Sequence, residues 1–193
     1  MSTPILHLVA GPNGSGKTTL VERVLRPVTH LPFVNADVIA ASRWPGSEIE
    51  HAYEAARLAD LDRRRRMLAR ASFIAETVFS HESKVALAEQ AGTLGYLVHL
   101  HVVLVPRDLA PARVEDRVRR GGHDVPEVKV RERYDRLWPL VARAAATVDR
   151  ADFYDNSRAD TPLRRIARFE RGVPIGEPEW PAWTPAVITR LGG

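Results

Sequence analysis

Apolar and polar positions alternate along the chain in blocks of two periods. Ile5-Leu6-His7-Leu8-Val9-Ala10 is a short apolar run followed by turn residues, the pattern of a buried strand. Thr18 to Arg26 reads as a helix that Pro27 should stop, and Phe33-Val34-Asn35 as a second strand. A long helix follows over 47–70, with Ser47 as N-cap and Glu50 completing a capping box. Ser72 to Thr77 predicts a third strand, Glu82 to Thr93 a helix, and Tyr96 to Val105 the strongest strand of the chain. Helices are expected over 109–120 and 126–148, and a fifth strand over 152–155. Ile166 to Ile175 predicts a hairpin turning at Arg171-Gly172, and the proline-rich remainder should wrap the surface.

Strands alternating with helices indicate βαβ units, hence an α/β fold with a mostly parallel sheet and helices on both faces. In such sheets ligands bind beyond the carboxyl ends of the strands. A length of 193 residues fits a single domain over 1–193, with a lid over 107–136 and a hairpin and tail over 163–193. The absence of cysteine excludes disulfides and thiol chemistry within the chain. No stretch has the length of a membrane span, and the N-terminal residues do not read as a signal peptide, so a cytoplasmic location is expected. The net charge of +4 is modest, and all but three of the 28 cationic residues are arginine. That balance permits anionic substrates without indicating nucleic acid, which is not the expected partner.

Gly11-Pro12-Asn13-Gly14-Ser15-Gly16-Lys17-Thr18 matches G-x-x-x-x-G-K-[ST] in full, between a strand and a helix. Glycines let backbone N–H groups curl around a phosphate, and the helix N-terminus adds partial positive charge. Lys17 would reach the outer phosphates and the Thr18 hydroxyl would bind Mg²⁺, which implies a nucleoside triphosphate, ATP first. Asp37 follows the second strand. Its position serves either a general base that deprotonates an acceptor hydroxyl or an N-cap for the residues after it. Glu76, at the end of the third strand, is a second acidic candidate for acceptor or Mg²⁺.

Arg113, Arg117 and Arg120 share one predicted helix face, and Lys129, Arg133 and Arg136 share another after Gly121-Gly122-His123. Two basic helices joined at glycines suit a lid that closes guanidinium groups onto the β- and γ-phosphates. Arg63-Arg64-Arg65-Arg66 reads instead as a solvated face, because Asp60 and Asp62 stand four residues before Arg64 and Arg66. His7, His99 and His101 alternate with apolar residues and read as packing side chains rather than metal ligands.

Together these segments resemble the zeta-toxin family of P-loop kinases, particularly its short chromosomal members. The resemblance rests on the run from Gly11 to Thr19, on Asn35-Ala36-Asp37, Glu76-Thr77 and Arg120 to Arg136, and on Tyr154-Asp155-Asn156-Ser157. It implies a nucleotide-kinase-like, five-stranded P-loop fold and phosphorylation of UDP-N-acetylglucosamine at a sugar hydroxyl with ATP and Mg²⁺. By resemblance Asp37 is the catalytic base, Lys17 the loop lysine, and Arg120 and Arg133 the paired phosphate-binding arginines. Glu76-Thr77 matches the family's acidic-threonine pair, and Asn156 falls where related kinases contact adenine. The larger toxins have an extended sugar-binding region that no segment here matches, so acceptor and antitoxin-like partner stay open.

Overall fold

Leu6, Leu8, Phe73, Leu100, Val102 and Leu104 are all fully buried, and their alternation on adjacent strands decides how the sheet is covered. The computed structural model describes residues 3–121 and 125–192. The strands are β1 (Ile5–Ala10), β2 (Phe33–Val34), β3 (Phe73–Thr77), β4 (Leu97–Leu104), β5 (Arg150–Asp155), β6 (Arg164–Glu170) and β7 (Val173–Pro174). They form one sheet in the order β2-β3-β1-β4-β5-β6-β7. The first five are mutually parallel, and the hairpin β6–β7 adds antiparallel to β5. The sheet is therefore mixed and seven-stranded, two strands wider than the resemblance implied.

The helices are α1 (Lys17–Leu20), α2 (Arg26–Thr29), α3 (Ala36–Arg43), α4 (Ala52–Leu68), α5 (Ser83–Thr93), α6 (Leu109–Arg119), α7 (Glu127–Thr147) and α8 (Ala186–Thr189). The main core joins one sheet face to Ala59 and Met67 of α4, Val85 and Ala88 of α5, and Leu137, Trp138 and Val141 of α7. On the other face Val9, Ile74 and Val103 pack against Leu20, Val21 and Leu25. Helices thus lie on both faces, as the alternation of elements requires.

Two local expectations are corrected. Pro27 does not stop the first helix, which runs through a π-helical turn at Val21–Leu25 into α2. The wider turn shifts the hydrogen-bond register, so Pro27 sits in the first turn of α2, where a missing N–H costs little. The long helix begins at Ala52 rather than Ser47. The Pro45-Gly46 segment turns the chain, and Trp44 stacks on His51 with ring centroids 4.6 Å apart, closing a loop ahead of the helix. No described helix is long and apolar enough to cross a membrane.

Candidate active site

In a parallel sheet the carboxyl ends of β1 and β3 lie side by side, and Ala10 pairs with Thr77. The phosphate loop therefore opens beside Glu76. Gly14 has φ +74°, and a Cβ there would stand 2.6 Å from the Ala110 carbonyl oxygen, so the loop packs directly under α6. Gly16 has φ +95°, and a Cβ would stand within van der Waals overlap of the Asn156 amide. Lys17 opens α1, is buried, and donates from Nζ to the Pro12 carbonyl at 2.9 Å. Burial lowers its pKa, and the carboxylates of Glu76 and Asp37 counter that fall. Thr18 Oγ1 donates to both Glu76 carboxylate oxygens, at 3.2 and 3.0 Å. Burial raises the Glu76 pKa, while Lys17 and Thr18 hold it down.

Asn35 decides the state of Asp37. Its Oδ1 accepts from the Asp37 N–H at 2.6 Å and the Val38 N–H at 3.3 Å, making Asn35 the N-cap of α3. Asp37 is consequently not the cap. It stands in the first turn with its side chain on the cleft, where the helix dipole favours a carboxylate.

The cleft holds about 580 Å³, within the range of small-molecule sites. Asn13, Gly14, Gly16, Lys17, Thr18, Thr19, Asp37, Glu76, Thr77, Arg117 and Arg133 all line it. Gly11, Pro12 and Ser15 shape the loop from behind. Ser15 Oγ is fully buried without a protein partner, a free donor at a loop suited to phosphate. The hydroxyl of Thr18 and the carboxylate of Glu76 are the hard oxygen donors that Mg²⁺ takes.

Two expected site residues are not brought into the cleft. Arg120 lies past the end of α6, largely exposed and paired with Asp116 at 2.7 Å. One and two helical turns earlier, Arg117 and Arg113 line the cleft. Asn156 does not offer its amide to a base. Its Nδ2 donates to the Ser15 carbonyl at 2.8 Å, and its Oδ1 accepts from the Leu163 N–H at 3.2 Å. It clamps the phosphate loop to the segment before β6. Replacing Asn156 by Ala strands both backbone groups and should cost about 1–3 kcal/mol in denaturant unfolding, with weaker nucleotide binding. Unchanged stability would show that the clamp is dispensable.

The expected lid over 107–136 spans α6 and the start of α7. Arg133 belongs to the first half of α7, whose second half is embedded in the core, and Tyr134 donates to the Val105 carbonyl at 3.0 Å. In this structure the first half of that helix lines the cleft through Arg133. Arg107 with Asp135 and Arg131 with Asp108 tie it to the start of α6. Gly122 and His123 of the expected hinge lie outside the described residues.

Two cations, Arg63 and Lys84, were missed as site residues. Arg63 is not solvated: it is buried, and with Lys84 and Arg113 it lines the cleft. Burial lowers the pKa of all three, and Arg63 adds to the effect on Lys84. A signal for Arg63 was present. Ala52, Ala56, Ala59 and Arg63 recur at helical spacing, and that small-residue stripe faces the cleft. Asp60 stands 3.4 Å from Arg63 and 2.9 Å from the exposed Arg64.

The family described as an AAA domain, AAA_33, matches residues 6–140, more than two thirds of the sequence. The chain belongs to the AAA_33 family. No curated protein matches the sequence significantly. The AAA_33 domain is similar to a chain of the AvrRxo1-ORF1:-ORF2 complex with ATP, at 19% identity and TM-score 0.69, over 91% of this chain and 61% of that one. It therefore spans about three fifths of that relative. It is also similar to a chain of the PezAT chromosomal toxin-antitoxin system of Streptococcus pneumoniae, at 14% identity and TM-score 0.66, covering 86% and 72% of the two chains. A chain of the Pnkp1/Rnl/Hen1 RNA repair complex matches at 16% identity and TM-score 0.58, over 73% and 46%. These likenesses establish the P-loop kinase-like fold, in accord with the zeta-toxin resemblance. The matched span carries the loop, Asp37, Glu76, Arg117 and Arg133, whereas the Asn156 clamp lies beyond it.

Proposed function

We propose that this AAA_33 domain transfers the γ-phosphate of ATP to a hydroxyl of a small anionic acceptor, of which a UDP-N-acetyl amino sugar is the leading candidate. The observation that carries the reading is the freeing of Asp37 by the Asn35 cap, which leaves a carboxylate on the same cleft as Lys17. Lys17, Arg113, Arg117 and Arg133 would hold the phosphate oxygens, and Thr18 with Glu76 would hold Mg²⁺, which neutralises phosphate charge when bound. Asp37 would accept the acceptor's hydroxyl proton as the oxygen attacks, and the cationic wall would stabilise the transferring group.

The charge balance supports an anionic acceptor. Six cationic side chains line the cleft against the two carboxylates Asp37 and Glu76. That exceeds what a magnesium-neutralised triphosphate calls for, and Arg63 and Lys84 stand apart from the phosphate loop in sequence, on α4 and α5. Incubation with ATP and Mg²⁺ against UDP-sugars, nucleosides and oligonucleotides, read by mass spectrometry for one added phosphate, tests the reading. Arg63→Met should raise the KM for an anionic acceptor ~10-fold or more while leaving the KM for ATP within about twofold, as loss of a charge-assisted contact predicts. Failure of every acceptor to gain phosphate would leave a nucleotide-gated binding module. A nucleic-acid end remains a second acceptor class because Arg63 is cationic and inward-facing, and steep loss of turnover with salt would mark it. An antitoxin-like protein partner and a cytoplasmic location are further proposals, the first supported by the complexes in which similar chains occur.

A further inference from the structure

Away from the cleft, the sheet face that carries α1 holds an unusual cluster. His7 of β1 pairs in register with His99 of β4, and His101 stands two residues on, so all three imidazoles project from the same face. One nitrogen of each ring lies within 4.8 Å of the others. We propose that His7, His99 and His101 bind one divalent transition-metal ion of the zinc class, three imidazole nitrogens leaving a coordination position for water.

The hydrogen bonds around the cluster favour this assignment. His99 Nε2 is 2.8 Å from Asp152 Oδ2, so it carries the proton and leaves Nδ1 as the ligand atom. Asp152 also accepts from Arg150 and Arg168, at 3.0 and 2.8 Å, which keeps it ionised. A carboxylate behind a ligating histidine is the usual outer partner of a metal-bound imidazole. His101 Nδ1 lies 3.2 Å from the Tyr154 hydroxyl, and donation to it would leave Nε2 as the second ligand atom.

That arrangement aims His101 Nε2 at His7 Nδ1, 3.0 Å away. Where neither of these nitrogens carries a hydrogen, their lone pairs face each other and require a positive centre between or beside them. A proton on one ring is the simple solution. A metal ion is the other, because two ligands at Zn–N distances of ~2.0–2.1 Å in tetrahedral geometry stand about 3.3 Å apart.

The test uses the full chain, stripped with EDTA and then saturated with Mg²⁺ and ADP so that the nucleotide cleft is filled. Titration with Zn²⁺ should show uptake of one equivalent and a raised melting temperature, and Co²⁺ should give the visible bands of a nitrogen-ligated, low-coordinate site. His99→Gln keeps an N–H for Asp152 while removing a ligand, and should weaken Zn²⁺ binding at least ~10-fold. His7→Gln should do the same. Absence of stoichiometric uptake by the unaltered protein would overturn the proposal and leave an N–H···N bond between His7 and His101. Uptake with the same affinity in both variants would overturn it equally. The readout is independent of phosphoryl transfer, so failure of the kinase reading would not imitate either result.

Discussion

Asp37→Asn should bind ATP as the unaltered protein does and transfer phosphate ~10²-fold or more slowly, the effect expected for losing a general base. The substitution is nearly isosteric. Asn35, not residue 37, accepts the first N–H groups of α3, so the helix keeps its cap. The loss should therefore fall on kcat rather than on folding or on ATP affinity. Calorimetric ATP titration beside a coupled or mass-spectrometric turnover assay separates the two. Transfer at the normal rate would remove Asp37 from the chemistry and turn attention to Glu76, the other carboxylate on the cleft.

Lys17→Ala should weaken ATP binding and reduce transfer by about 10²–10³-fold, the scale seen when a preorganised donor to developing charge is removed. Its effect on the empty protein should run the other way. The ammonium is buried, and desolvation lowers its pKa despite the two nearby carboxylates, so its placement is held against a solvation cost. The apo variant should melt at the same temperature or higher, whereas ATP should stabilise only the unaltered protein. A large fall in apo stability would instead assign Lys17 a structural role, through its bond to the Pro12 carbonyl. Loss of activity without loss of apo stability would be the signature of a group placed for a ligand.

The phosphate loop was legible because its chemistry is local. A strand, five loop positions, Gly16, Lys17 and a helix are contiguous, and neighbouring backbone N–H groups do the work. The helix expected over 126–148 was legible for a similar reason: Val130, Tyr134, Leu137 and Val141 recur at helical spacing, and they are buried. Pro27 was misleading because a helix-breaking residue is harmless in a first turn, and the π turn that makes it one is not marked by any residue type. Arg63 was hidden in a run of four arginines. Identical side chains at successive positions point in directions about 100° apart, and only the one in line with the small-residue stripe Ala52, Ala56 and Ala59 enters the cleft. Arg120 shows the converse. It shares a face with Arg113 and Arg117 on paper, but α6 ends at Arg119, and the next residue leaves the helix and pairs with Asp116.

The sequence alone determined the αβ alternation, the anion-binding loop and the acid that follows β2, because each depends on residues within a few positions of one another. Tertiary structure alone decided that Arg63 and Lys84 meet on one cleft, that Asn156 clamps the loop, and that three histidines from two strands share a face. The reason is physical. Local backbone preferences are written in neighbouring residues, whereas strand order and helix docking set the meeting of side chains as far apart as Ser15 and Asn156, through burial summed over the whole core.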